Sequence, residues 1–370
     1  MTASGFTHLL LLCLLITACS AEESEFDSIQ APEIVTSHKF EINDSDEVLF
    51  GQIADISIDS NDRILVLDPS GKKIHLFNEN GGFLDSSLNE GRGPGEVQST
   101  AYQFHVSPDN RVILHDQGLQ RLSIYDISDN NLQHIRDINL DIFPSNYHLS
   151  PEDKIYLHSS ASSRQGEETD RIIIMNLEGE VTDESFLEFE KGDNLEINNS
   201  NGNLIMSISS AEHVKNLFLF TDEMIIHNRS GEIGFTAYDI ASGEPIHQVN
   251  INRPDVPYPI EERREFINSF GERLGLGRES VSDLVSDMPE TKAVVQKLLF
   301  NKENNSVWMN ILDTGDDIDW LIFSDSGELT GRFNQDFEGS ILAVDDGNLY
   351  VQSEDENESP FIQVYSYQFQ

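Results

Sequence analysis

Three histidines occupy one place in a recurring apolar run. The runs are ILVLD (64–68), VILHD (112–116), IYLHS (155–159), MIIHN (224–228), VWMNI (307–311) and LYVQS (349–353). The residue before the last is Leu67, His115, His158, His227, Asn310 or Gln352, so the column is mostly polar and half imidazole. Imidazoles brought together in space ligate zinc or iron, which is the first chemistry to weigh. A second candidate is Gly91-Arg92-Gly93-Pro94-Gly95-Glu96, where Arg92 and Glu96 either pair across the loop or each present a charge to a ligand. A phosphate-cradle reading of this glycine-rich stretch fails, because a strand pattern follows it and no Lys-Ser/Thr pair closes it. Asp68 and Asp116 precede turns and read as caps of the turn backbone. No G-x-S-x-G elbow, H-E-x-x-H helix or EF-hand loop is present.

The apolar runs are the second members of a four-part unit. Residues 53–88 read IADISID, ILVLD, KIHLFN and FLDSSL with turn clusters between them, and residues 101–140 repeat the order. Short alternating runs punctuated by Gly, Asn and Asp are antiparallel strands of a meander. Six such units make an all-β, six-bladed β-propeller of four-stranded antiparallel blades. The sixth unit lacks a fourth strand, and an unpaired edge there is a liability. HKFEIND (38–44) precedes the first unit and is expected to close the ring as the outer strand of the last blade.

From Val66 the equivalent positions Leu114, Leu157, Ile226, Met309 and Val351 follow at intervals of 48, 43, 69, 83 and 42 residues. Two connections are therefore enlarged. The first, near 190–216, is polar with one extra strand expected. The second, about 253–293, is a helical insertion before blade five: Pro259 opens a segment with Ile260, Phe266, Ile267, Phe270 and Leu274 toward one face. SVSDLVSDM, from Ser280, is a shorter helix candidate.

In a propeller the second strand ends on the face that carries the fourth-to-first connections. The histidine column, the GRGPGE loop and both insertions thus converge on one side. Gln103/Asn146 and His105/His148 also recur at one offset, on the first strands of blades two and three. The candidate ligand face comprises Arg92, Glu96, Gln103, His115, Asn146, His158, Asn216, His227, Asn310 and Gln352. A metal centre built from the column is disfavoured. Equivalent positions stand at one radius, a sixth of a turn apart, whereas donor atoms must lie about 2 Å from the ion. The alternative is that these histidines fill inter-blade space and bond neighbouring loops.

The N-terminus reads as a processing segment. Residues 9–16 (LLLLCLLI) are apolar but too short to span a bilayer, which marks residues 1–18 as a signal peptide. Ile16-Thr17-Ala18-Cys19 resembles the lipobox of bacterial lipoproteins, and that resemblance implies lipidation of Cys19. Residues 19–36 are expected to be a lipidated acidic tether, and residues 37–370 the propeller. Cys13 and Cys19 are the only cysteines, so no disulfide or thiolate site is available to the folded body.

The net charge is −43, from 66 acidic and 23 basic residues. Such a surface repels phosphate backbones and anionic lipid, so nucleic acid is excluded as a partner and membrane contact runs only through the anchor. Adaptation to salt and attraction of cationic ligands both fit this charge.

With its lipobox, six units, GRGPGE loop after the first blade, helical insertion and tryptophan-bearing strand (Val307-Trp308-Met309), the chain resembles the NHL-like six-bladed β-propeller lipoproteins of Gram-negative bacteria. That resemblance implies the fold and a cell-envelope location at the outer membrane. The expected function is a binding module for a small molecule, glycan, peptide or envelope protein, without cofactor. The alternative, taken from related propeller enzymes, is a lactonase-, esterase- or lyase-like activity with Ca²⁺ on the axis. For it the innermost strands offer Asp55, Gln103, Asn146, Asn216 and Gln296, a set short of charged oxygens.

Overall fold

Every second strand is buried along its whole length or nearly so: Ile64–Asp68 has no exposed residue, and Arg111–Asp116 and Lys154–Ser159 are buried after their first residue. Alternation disappears because a blade's interior strands are covered on both faces by the neighbouring blades. Fourth strands keep the alternation, as in Asn131–Asn139, where one face meets solvent. The computed structural model describes residues 26, 29–128, 130–161, 168–193, 195–198, 204–208, 213–274, 278–312 and 318–370. Cys19 and the apolar leader lie outside them.

Six four-stranded antiparallel sheets are arranged as the repeats predict. Their first strands are Asp55–Ile58, Thr100–Val106, Asn146–Leu149, Asn216–Phe220, Val295–Asn301 and Ser340–Asp345. Successive blades meet through these first strands. Apolar side chains fill the inter-blade space, with Trp308, Trp320, Ile322 and Val351 in one such layer.

The ring closes with the N-terminal strand. Ile34–Ile42 pairs antiparallel with Pro360–Phe369, from Ile34 opposite Phe369 to Ile42 opposite Ile362, and becomes the outer strand of blade six. The expected boundary of the tether is corrected here. Pro32 O accepts the Arg332 amide, Glu33 O accepts the Gln370 amide, and the strand is already under way at Ile34. Phe26 is buried among Ile226, Phe235, Val307 and Phe323, with the Arg253 guanidinium 4.3 Å from its ring centroid. An acidic composition hid a segment in which Phe26 and Ile34 are buried and Ile29 packs against the core.

The turns joining first to second strands place Asp62, Asn110, Asp153, Asn305 and Asp346 at positive φ. Asn and Asp tolerate that conformation best among residues with a side chain. Blade four is the exception. Its turn, Thr221-Asp222-Glu223, has no left-handed residue and is held by Thr221, whose Oγ1 accepts the Met224 amide at 2.9 Å.

The first insertion is a two-stranded hairpin, Leu195–Asn198 with Leu204–Ile208, where one strand was expected. The second contains helices α1 (Ile260–Leu274) and α2 (Arg278–Asp287). Ile267, Leu284, Val285 and Met288 form their core, and Leu195 of the first insertion joins it, so the two insertions support one another. Ile260, expected on the apolar face, is exposed. No helix among the described residues is long and apolar enough to cross a membrane.

Phe26→Ala should cost about 3 kcal/mol, as removal of a buried aromatic does, and removing residues through Ile42 should cost far more by baring the last blade's edge. Urea unfolding checks the first; a Phe26→Ala midpoint equal to wild type would show that the segment is not docked in solution.

Candidate functional site

The histidine column does not open onto a cavity. His115 is 1 % exposed. Its ring nitrogens bond nothing, and it lies edge-on to Tyr147, whose hydroxyl accepts the His115 amide at 3.1 Å. Burial pushes its imidazole down to about 4, against the pull of Asp116. His158 and His227 belong to one buried chain of polar groups between blades three and four. Ser145 Oγ lies 2.7 Å from His158 Nδ1, and His158 Nε2 lies 3.4 Å from Asp170 Oδ2. Asn216 Nδ2 donates to the same Asp170 oxygen at 2.8 Å, and Asn216 Oδ1 lies 2.8 Å from His227 Nε2. Burial raises the Asp170 carboxyl, but bonds from His158, Asn216 and the Ala161 amide outweigh it and hold the group below its ordinary value. Burial, then the charges of His158 and Arg229, brings His227 down to about 4. Ser145, His158 and Asp170 have the residue types of a hydrolytic triad, which motif reading missed because they are joined only in space. They line none of the cavities described below, and Asp170 is already occupied three ways, so the arrangement clamps blades. Leu67 is fully buried. Asn310 donates to Asp319 O and Gln352 to Ser353 O.

The GRGPGE loop is held by its own Glu96 and by blade two. Glu96 does not pair with Arg92; its carboxylate accepts the Gly93 amide at 2.7 Å. Arg121 reaches in from the third strand of blade two, donating to Gly93 O at 2.9 Å and to Glu96 O, while Asp137 holds its other nitrogen at 2.9 Å. Tyr125 donates to Gly95 O. Gly95 has φ +71°, and a Cβ there would come within 2.7 Å of His134. Arg121, Tyr125 and Asp137 were not foreseen, since nothing local in the sequence links them to the loop. Arg92 is exposed. Asp68 and Asp116 cap backbone as expected: Asp68 accepts the Gly51, Gln52 and Gly71 amides, and Asp116 those of Gln98, Ser99 and Leu119.

The innermost strands stitch neighbouring blades together at four of the six junctions. Asp55 accepts the Phe104 amide at 3.0 Å, Gln103 donates to Ser145 O at 2.7 Å, and Asn146 donates to Phe218 O at 2.9 Å. Lys297 continues the pattern with Ile341 O at 2.8 Å. These groups do not fit Ca²⁺. Asp55 is the single carboxylate of the set, raised by burial to about 7. The Asn146 and Asn216 amide oxygens already accept bonds, and Gln296 donates to Ala293 O. Calcium calls for six to eight oxygens, several charged. Among the described residues, no three His, Cys, Asp or Glu side chains are arranged around a metal position. Gln103, Asn146 and Asp55 do line a cavity of about 190 Å³ inside the channel.

Two larger cavities lie on the opposite face, where first strands turn into second strands. One of about 410 Å³ sits at the axial mouth, walled by Ser57, His105, His148, Phe220, Asp222 and Phe300, among others. The His105 and His148 rings lie 4.2 Å apart between centroids, and Phe220 stacks on His148 at 6.0 Å. His105 bonds the Leu149 backbone through one nitrogen, leaving Nε2 without a partner. Burial and then the neighbouring His148 hold His105 well below its ordinary value, so it is uncharged at neutral pH. His148 is 1 % exposed. Its Nε2 lies 3.5 Å from Asp222 Oδ1 without hydrogen-bond geometry, and neither atom has a bonding partner. A groove of about 610 Å³ shares Asp222, Glu223 and Met224 with this mouth, and Glu152, Tyr156, Asp239 and Asp325 also line it. Of the ten expected ligand-face residues, only Gln103 and Asn146 line any of these cavities.

A closed ring of six four-stranded blades with a polar axial channel defines a six-bladed β-propeller. The chain belongs to the 6-bladed beta-propeller family DUF5128, whose model matches residues 40–226. It is similar in structure to BF0058 of Bacteroides fragilis, provisionally assigned as an exported protein, at 11% identity and a TM-score of 0.58 over 91% of this chain and 95% of that one. A DUF4221 protein of Bacteroides vulgatus is similar at 11% identity and 0.56 over 92% and 100%. At such identity these likenesses speak to fold alone. No curated protein sequence matches the chain.

An unfolded histidine titrates near 6.5, so below that pH the unfolded chain takes up a proton that His115, at about 4, refuses; its contribution to stability falls as pH falls. His115→Leu should remove this loss, worth about 2 kcal/mol at pH 5 and almost nothing at pH 8. Equal shifts in unfolding free energy at both pH values would contradict the assignment.

Proposed function

We propose that the chain is an envelope-anchored binding propeller that takes a small polar ligand at the axial mouth formed by the first-to-second turns. The observation that carries this reading is the buried His148 ring in the wall of a cavity of about 410 Å³, its Nε2 3.5 Å from Asp222 Oδ1 and neither atom hydrogen-bonded. Buried polar atoms without partners cost free energy, and such atoms converging on a cavity are the usual mark of a ligand site. Hydrolysis is less well supported: Ser145, His158 and Asp170 line none of the cavities described, and the axial amides are engaged in hydrogen bonds.

The mouth is tested by thermal unfolding against a panel of sugars, amino acids, carboxylates and amines. Ligands that stabilise the wild type should lose their effect on Ser57→Trp, which fills the cavity from the first strand of blade one. If every stabilising compound acts equally on both proteins, the ligand site lies elsewhere.

The envelope location rests on the leader and on the lipobox resemblance of Ile16-Thr17-Ala18-Cys19. An acidic body repelled by anionic headgroups needs such an anchor to stay at a membrane. Cys19→Ala should release the protein from the membrane fraction of a Gram-negative host into the soluble one. A variant that still sediments with membranes would refute the anchor.

A further inference from the structure

The groove and the mouth meet at Asp222-Glu223, the blade-four turn that lacks the left-handed residue of its counterparts. The two adjoin along the shared wall of Asp222, Glu223 and Met224 and form one depression on the turn face. Its polar lining is biased in one direction. Carboxylates of Glu152, Asp222, Glu223, Asp239 and Asp325 wall it. At the floor, His105 spends its N–H on backbone and keeps Nε2 without a hydrogen-bond partner. The Tyr156 phenol, bonded to Ile240 O, is pushed up to about 12 by burial and then by the charges of Glu152 and Asp239, which reports the negative field along the groove. Lys302, the cation at the mouth, is occupied: its ammonium donates to Ile58 O and Asp59 O and lies 3.5 Å from Asp345. Lys154 stands on the groove wall, outnumbered there by acids. Phe220 and Phe300 add aromatic surface suited to methylenes and to ammonium groups.

We infer that this depression binds a linear organic polycation of the polyamine class, with one ammonium at Asp222 and the His105/His148 floor and the rest of the chain along the acidic groove. An anion would meet more carboxylates than ammonium groups along the groove, where five acidic residues face Lys154. The inference rests on the mouth being the ligand site and adds the ligand's chemistry. It also gives the charge of −43 a local use, since a negative body concentrates cations around an acidic cleft.

The test is calorimetric titration of the full folded protein with spermidine in about 0.15 M salt, where diffuse attraction is screened beyond about 8 Å. Saturable one-to-one binding is expected. Asp222→Asn should weaken it at least tenfold, whereas Glu79→Gln, which removes the same charge from a distant turn of blade one, should leave it unchanged. Equal weakening by both variants, or heats that never saturate, would reduce the effect to general electrostatics and overturn the proposal. If spermidine fails while a neutral or anionic compound of the unfolding panel is lost with Ser57→Trp, the mouth stands as a site and the polycation is refuted. If nothing in the panel depends on Ser57, both readings fall.

Discussion

The pairing of Ile34–Ile42 with Pro360–Phe369 is the interaction on which the rest of the molecule depends. No blade is stable by itself, because its interior strands are apolar on both faces and need a neighbour on each side. A ring removes the two exposed ends that an open row of blades would leave. Closing it with a strand from the far end of the chain locks the last blade to the first in sequence. Phe26 and the Pro32–Glu33 backbone extend that lock beyond the strand itself.

Within the closed ring, polar side chains do two kinds of work, distinguished by whether their bonds are made. Asp55, Gln103 and Asn146 on the inner strands, and the Ser145–His158–Asp170–Asn216–His227 chain farther out, bond from one blade to the next. They make the blades' relative positions specific where apolar packing alone would allow sliding. His105, His148 and Asp222 are different: they stand together in the wall of a cavity, with buried atoms that make no hydrogen bond. His115 has leftover atoms too, but against Tyr147 and apolar neighbours, so it reads as a cost of packing.

The two faces of the ring have separate duties. The face of the long connections carries a glycine loop fastened by Arg121 and two insertions that share a core through Leu195. Its polar groups are largely consumed in holding those loops. The turn face has short, stereotyped hairpins, and the one that departs from the pattern, in blade four, leaves room for the mouth and groove.

What the sequence by itself determined is everything that follows from local periodicity and counting: six blades, four strands in each, the capping roles of Asp68 and Asp116, the helical insertion and the strand that closes the ring. These are legible because strand pattern and turn chemistry repeat, and an unpaired edge must find a partner. The His105/His148 recurrence was visible as well. Its meaning was not, since repeat position sets a residue's radius and height in the ring, while its surroundings come from another blade. Tertiary structure alone decided that His158 and His227 are joined through Asp170 and Asn216, that Arg121 rather than Arg92 holds the GRGPGE loop, and that His105, His148 and Asp222, with atoms that make no hydrogen bond, stand together at the turn-side mouth. Each of those facts depends on contacts between residues far apart in the chain, and a contact of that kind leaves no periodic trace in the sequence.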